Sequence, residues 1–168
     1  MKGHSNDLVV AFYLNARGFA YAVFEGSSSL VDCGTADAPR RLKTQRSIRR
    51  LAFLVDRYKP DAIVIREMPG RSRAHAGFDL AAVVARRRGI RVLALSRAQI
   101  RQAFAAVVGM PTRYAIATAI ARHIPTFARL LPPPRKIWNG EDKRMGLFDA
   151  AALALAFFDD FSGWEASA

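Results

Sequence analysis

Short apolar runs and longer amphipathic stretches follow one another along this chain of 168 residues. Short apolar runs bounded by turn residues predict five strands. The first three are joined by short turns such as Asn15–Gly18 and therefore predict an antiparallel meander. The fourth is a β-branched run, which is typical of a strand buried in the centre of a sheet. The predicted strands cover residues 8–14, 19–24, 30–34, 62–65 and 91–95.

Apolar residues at helical spacing predict the remaining elements. In the first helix Ile48, Leu51, Val55 and Tyr58 recur on one face, while arginines fall mostly on the other. The predicted helices cover residues 48–58, 78–88, 97–107, 114–123 and 145–158. A meander followed by alternating strands and helices predicts an α/β fold with a mixed sheet. No repeat or linker divides these elements, so we interpret residues 1–168 as one domain.

The charge of the chain indicates the class of its partner. Lysine and arginine number 26 against 14 aspartates and glutamates, which gives a formal net charge of +12. This excess predicts a polyanionic partner and favours nucleic acid over a membrane surface. Residues 1–7 lack the apolar core of a leader peptide, and no run reaches the roughly 18 apolar residues of a membrane span. We therefore expect a cytoplasmic protein. The single Cys33 excludes an internal disulfide and a cysteine-based metal site.

Five motifs occur in an order that points to a known family. Residues 59–67 place a proline and an aspartate before an apolar strand that ends on a glutamate, and residues 85–92 place a glycine between a helix and a strand. Residues 96–101 begin a helix after a serine, residues 109–113 form a basic loop with a glycine, and residues 148–156 set one aspartate in an alanine-rich helix. As an ordered set that covers most of the chain, these motifs resemble the RuvC-type Holliday-junction resolvases.

The resemblance implies an α/β fold of the ribonuclease H-like type, in which a mixed five-stranded sheet, an antiparallel meander and then parallel strands, is flanked by helices. It also implies a nuclease that depends on Mg²⁺ or Mn²⁺, cuts branched DNA in DNA recombination and acts as a homodimer. Two divalent ions about 4 Å apart stabilise the attacking and leaving oxygens of a phosphodiester, and converging carboxylates hold both ions.

The acids of this chain meet that requirement in part. Glu67 ends the fourth predicted strand and Asp149 lies in the last helix, so the resemblance makes both of them catalytic metal ligands. Asp142 is a candidate replacement ligand if the last helix begins early enough to place it on the face of Asp149, seven residues later. The competing interpretation of Glu141 and Asp142 is an acidic helix start, favoured by the helix dipole.

The first strand departs from the family pattern. The first acid of the family aligns with Tyr13 or Ala11, and neither side chain is a useful Mg²⁺ ligand. Asp7 lies about six residues upstream, on the order of 20 Å along an extended strand, and does not easily substitute. With Tyr13 as the substituted first acid, the sequence favours weak or absent nuclease activity.

Basic residues in predicted loops and at helix starts form a second candidate site. Arginine and lysine in such places bind phosphates without reading bases. The candidates are Arg71, Arg73, Arg97, Arg101, Arg113, Lys136, Lys143 and Arg144. Trp138, two residues after Lys136, is a candidate for stacking on unpaired bases.

Two functional classes stay open on the sequence. One is a metal-dependent, structure-selective endonuclease that uses Glu67, Asp149 and Asp142. The other is a non-catalytic module that binds branched or structured DNA with the same fold and charge. An actin-like or transposase-like relative is disfavoured, because the chain is short and has no phosphate-cradling glycine loop.

Overall fold

The structure is a computed structural model that describes residues 6–67 and 74–165, with residues 74–78 described by their backbone alone. Its centre is one five-stranded sheet of order β3-β2-β1-β4-β5. The strands are β1 Leu8–Leu14, β2 Gly18–Glu25, β3 Ser29–Asp37, β4 Ala62–Arg66 and β5 Arg91–Leu95. The pairs β1–β2 and β2–β3 are antiparallel, whereas β1–β4 and β4–β5 are parallel. The predicted mixed sheet is confirmed.

The helices cover both faces of this sheet. Their bounds are α1 Lys43–Tyr58, α2 Ala74–Arg86, α3 Arg97–Phe104, α4 Arg113–His123, α5 Pro125–Ala128 and α6 Met145–Phe158. The helices α1 and α2 pack on one face of the sheet and form one core cluster with it. The helices α3, α4, α5 and α6 pack on the other face and form a second cluster. We call this second side the α6 face, because α6 is buried along nearly all of its length there.

Strand alternation decides which side chains reach the α6 face. In β1, Val9, Ala11 and Tyr13 belong to the α6-face core, while Val10 and Phe12 belong to the opposite core. The turn after β1 is closed by the Asn15 carboxamide oxygen, which accepts hydrogen bonds from the backbone N–H groups of residues 17 and 18. The register of β1 follows from this period of two, because a slip of one residue would send Tyr13 to the other face.

Several elements differ from their predicted bounds. The helix α1 begins at Lys43 instead of residue 48, α2 spans Ala74–Arg86 instead of residues 78–88, and α5 was not predicted. The strand β2 is longer by one residue at each end, and β4 and α4 are longer by one residue at one end. The third strand was expected over residues 30–34 but spans Ser29–Asp37, because it pairs with β2 along its full length as an edge strand with many polar residues. The third helix was expected to reach residue 107 but ends at Phe104, and tight turns then lead into Gly109 and Pro111. Its start is fixed by a reciprocal capping box between Ser96 and Gln99.

The segment after α6 returns onto the α6 face. Trp164 stacks on the His123 ring with centroids 4.4 Å apart, and its ring also meets Phe161 edge-on at 5.1 Å. The His123 Nε2 accepts a hydrogen bond from the backbone N–H of Glu165. With the contacts of Phe161 and Trp164 to Phe104, these interactions attach the C-terminal segment, residues 159–165, to α3 and α4. Within the described part of the chain, no helix is long and apolar enough to cross a membrane.

Candidate functional site

A pocket of about 200 Å³ opens on the α6 face, where β1 and β4 end. Its position follows from the sheet, because the carboxyl ends of parallel strands leave a crevice between the connections that follow them. Both strands, α3, α4 and α6 contribute to its wall. The lining residues are Tyr13, Arg66, Arg97, Ile100, Arg101, Pro111, Arg113, Ile116, Phe148, Asp149, Ala152 and Leu153.

Tyr13 lines this pocket and is only 8% exposed. Its hydroxyl accepts a hydrogen bond of 2.9 Å from Nη1 of Arg66, whose guanidinium carbon lies 5.7 Å from the centroid of the phenol ring. Ala11, the alternative position for a first acid, is fully buried in the core and does not line the pocket. Tyr13 is therefore the β1 side chain that faces the site.

Arg113 binds both oxygens of Asp149. Its Nε donates to Oδ1 at 2.9 Å and its Nη2 donates to Oδ2, while its Nη1 pairs with the Glu141 carboxylate. A planar guanidinium suits such bidentate contact with a carboxylate. One arginine of α4 thus links α6 to the loop that precedes it, and the Asp149 side chain, 15% exposed, has a cation at both oxygens.

Burial sets the ionisation of these groups. Burial raises the pKa of Tyr13, and the charge of Asp149 acts in the same direction, so the phenol is neutral at pH 7. Burial also raises the pKa of Asp149, and the guanidinium of Arg113 opposes that rise. For Arg113, burial works against the charge, but the hydrogen bonds and charges of Asp149 and Glu141 outweigh it and raise its pKa.

The two other acids predicted as metal ligands lie elsewhere. Glu67 is exposed, follows β4 directly and does not line the pocket. Strand alternation explains this placement: Ala62 and Val64 contact the α6-face core, so the next residue of that series is Arg66, one position before Glu67. The residue that β4 sends into the pocket is therefore a cation.

Asp142 is engaged outside α6. The helix begins at Met145, so Asp142 does not share a helical face with Asp149. Its carboxylate accepts hydrogen bonds from the guanidinium and the backbone N–H of Arg144, which lower its pKa to about 2. Gly146, three residues before Asp149, packs closely on the β1–β2 hairpin, and a Cβ there would lie 3.3 Å from Ala20. A second acid at Gly146 would need its neighbours to shift.

These residues do not fit a divalent metal ion in their present arrangement. Mg²⁺ needs several oxygen ligands with free lone pairs directed at one point. Both oxygens of Asp149 are bound by Arg113, and the carboxylate of Asp142 is bound by Arg144. The side chains that β1 and β4 place in the pocket, Tyr13 and Arg66, are a neutral phenol and a cation. No group of three or more His, Cys, Asp or Glu side chains suited to a metal occurs among residues 6–67 and 79–165.

The predicted phosphate contacts fall into three sets. Arg97, Arg101 and Arg113 line the pocket. Lys136, Lys143 and Arg144 belong to the exposed loop of residues 129–144, in which Lys136 lies 5.8 Å from the Trp138 ring and Lys143 pairs with Asp37. Arg71 and Arg73 lie outside the described residues.

Sequence reasoning missed Arg66 as a member of this site. The signal was present, since alternation along β4 places residues 62, 64 and 66 on the face of Tyr13. The parallel register adds to it, because Phe12 pairs with Ile65 and so sets Tyr13 beside Arg66. The double role of Arg113 toward Asp149 and Glu141 had no comparable signal.

Comparison with solved structures identifies the fold. Thermus thermophilus RuvC, in complex with a Holliday junction substrate, aligns with a TM-score of 0.67 at 18% identity over 90% of this chain and 94% of that chain. The fowlpox virus Holliday junction resolvase aligns with a TM-score of 0.57 at 15% identity over 90% of this chain and 97% of that one. This chain therefore has a RuvC-like fold of the ribonuclease H-like type. No protein-family model and no curated protein sequence matches it.

Proposed function

We propose that this protein binds the phosphate backbone of nucleic acid without hydrolysing it. The observation that carries the proposal is the Arg113–Asp149 pair, in which a side chain of the protein supplies the cation at the buried carboxylate. The neutral phenol of Tyr13 and the guanidinium of Arg66 complete a site rich in positive charge. Such a site attracts a phosphodiester, while the carboxylate that a metal-dependent hydrolase would use is already paired with Arg113.

The charge of the whole chain supports the same class of partner. The net charge of +12 favours a polyanion, and the pocket and the exposed loop of residues 129–144 both carry basic side chains. Two structures of similar fold contain Holliday junction DNA, namely those of Thermus thermophilus RuvC and of the fowlpox virus resolvase. We therefore propose branched or structured DNA as the preferred partner.

The alternative function is a metal-dependent endonuclease that acts on branched DNA. It would require Asp149 to exchange Arg113 for Mg²⁺ or Mn²⁺ once DNA is bound, with the exposed Glu67 brought to the same ion. Contact of Arg113 with a DNA phosphate would release Asp149 for this exchange.

Parallel binding and cleavage assays separate the two functions. The purified protein is mixed with four-way junction, duplex and single-stranded DNA, with Mg²⁺ or Mn²⁺ present. Binding without cleavage, with a preference for the junction, is the expected result. Junction cleavage that disappears in Glu67→Gln and Asp149→Asn would establish the endonuclease instead, and absence of binding to all three DNAs would refute both functions.

The RuvC-like resemblance also implies a homodimer for a four-way junction. Sedimentation velocity of the free protein and of its junction complex measures this directly. We expect two copies of the chain in each junction complex, and a single copy would contradict the dimer.

A further inference from the structure

The pocket on the α6 face contains a donor that lacks an acceptor. The Tyr13 hydroxyl accepts from Arg66 and keeps its own proton, but no acceptor for that proton is found among the described residues. The Nε of Arg66 also has no partner among those residues, but the protein encloses it and a ligand in the pocket does not reach it. Buried donors without partners are rare in folded proteins, and a water, an ion or another ligand usually satisfies them. An acceptor oxygen of a bound ligand would satisfy the Tyr13 hydroxyl.

The charge of the pocket selects an anion. Arg97 and Arg101 stand one helical turn apart on α3, are exposed, and make no ion pair with any described residue. Together with Arg66 and Arg113 they give the lining four positive charges against the single negative charge of Asp149. An anion in this pocket would therefore meet at least two cations that are not already neutralised.

The size of the pocket limits which anionic ligands it can hold. Its volume of about 200 Å³ is below the roughly 300 Å³ at which sites for drug-sized molecules begin, so it takes a single phosphate with part of its sugar. The buried residues Ile116, Phe148 and Leu153 form a floor that belongs to the core.

We propose that this pocket binds a terminal phosphate monoester of a nucleic-acid strand, an inference that rests on the proposed nucleic-acid binding. A monoester carries about −1.5 to −2 charges at pH 7 and has three unesterified oxygens, against one charge and two such oxygens for an internal phosphodiester. Arg97 and Arg101 bind the charge of the phosphate from α3, the Tyr13 hydroxyl donates to one of its oxygens, and Arg66 adds positive charge behind the phenol. The basic loop of residues 129–144 meets the phosphates that follow.

Fluorescence anisotropy with matched oligonucleotides tests this assignment. Single-stranded DNAs of one sequence carry a 5′-phosphate, a 3′-phosphate or hydroxyls at both ends. We expect one phosphorylated end to bind about tenfold more tightly than the hydroxyl form, a difference of about 1.4 kcal/mol. In Arg97→Gln/Arg101→Gln the preference should fall below about twofold, and in Tyr13→Phe it should weaken while the protein stays folded.

A charge-matched variant controls for the loss of two positive charges. Arg49→Gln/Arg87→Gln removes two exposed arginines, one in α1 and one directly after α2, on the other side of the sheet. It should weaken binding of every oligonucleotide alike and leave the tenfold preference intact. If this variant reduces the preference as much as Arg97→Gln/Arg101→Gln does, the pocket is not the binding site.

The remaining outcomes separate this inference from the proposed function. Equal affinity for phosphorylated and hydroxyl ends overturns the pocket assignment while nucleic-acid binding stands. Absence of binding to all oligonucleotides overturns both. A nucleoside monophosphate or inorganic phosphate is tested as a competitor, and either one binding as tightly as the phosphorylated oligonucleotide would identify a small anion instead of a strand end.

Discussion

Arg113 binds two carboxylates at once, so its removal leaves the buried Asp149 without a cation. We expect Arg113→Gln to lower the free energy of unfolding by about 2 kcal/mol at neutral pH, because a buried charged acceptor loses its partner. The cost stays in that range because the Arg113 side chain is 39% exposed and water reaches the site. Urea unfolding of the variant and the wild type measures the difference.

The same variant should show a characteristic pH dependence. Without the guanidinium, the pKa of Asp149 rises further above the ordinary value of about 3.9 that it has in the unfolded chain. The folded state then binds a proton more readily than the unfolded state, so the defect is largest above the raised pKa and shrinks as the pH falls through it. Arg113→Gln/Asp149→Asn should recover most of the loss at neutral pH. A defect that is independent of pH would contradict this account.

Tyr13 and Arg113 together oppose metal binding. On the sequence alone, Tyr13→Asp would be expected to create a Mn²⁺ site. In the structure Arg113 binds both oxygens of Asp149. Arg66, which now donates to the Tyr13 hydroxyl, would pair with a carboxylate at position 13. Tyr13→Asp should therefore bind Mn²⁺ weakly at most. Tyr13→Asp/Arg113→Ala should bind it measurably in calorimetry, with Tyr13→Ala/Arg113→Ala as the control. Tight binding by Tyr13→Asp alone would show that Arg113 moves aside easily.

At the scale of elements, the apolar pattern predicted the first and last residues of β1, β5 and α6 correctly. Each of these elements is a run of mostly apolar residues with polar residues at its ends. The edge strand β3 was underestimated, since backbone pairing with β2 extends it through polar residues that carry no apolar pattern. Pairing between Arg113 and Asp149 could not be predicted. These residues are 36 positions apart, and only the packing of α4 on α6 brings them together.

The two tryptophans of the chain lie in different surroundings, since Trp164 packs on other side chains and Trp138 is exposed. Trp164 packs on His123 and Phe161, so Trp164→Ala should lower the free energy of unfolding by about 1–2 kcal/mol and detach the C-terminal segment. Trp138 is 79% exposed in the 129–144 loop, so Trp138→Ala should leave stability within about 0.5 kcal/mol of the wild type.

The two tryptophan variants should also differ in their affinity for DNA. Trp138→Ala should weaken binding of single-stranded DNA severalfold, because stacking on an unpaired base contributes about 1–3 kcal/mol. Trp164→Ala should leave that affinity unchanged at temperatures where the variant is folded. Thermal unfolding followed by tryptophan fluorescence, run beside anisotropy on the same samples, measures both effects. Equal affinity of Trp138→Ala and the wild type would exclude stacking by Trp138.

At the scale of the whole molecule, basic side chains spread over loops and helix starts predict binding with weak sequence preference. Neutralising about six phosphates gives a slope near −5 when the logarithm of the binding constant is plotted against that of the salt concentration. Titrations between about 50 and 200 mM salt, on two duplexes of unrelated sequence, measure this slope. Affinity that does not change over this range would contradict the electrostatic account.

Arg113 is joined to the chain by covalent bonds, so the positive charge that pairs with Asp149 cannot be lost from the protein. A metal enzyme of the same fold is switched off when chelators remove its ions, and its activity follows the concentration of free metal. A fixed guanidinium has no such threshold and is present once in every folded copy. Binding of DNA by this protein should therefore need no divalent ion: it should persist in EDTA, and added Mg²⁺ should only weaken it by competing for the DNA phosphates.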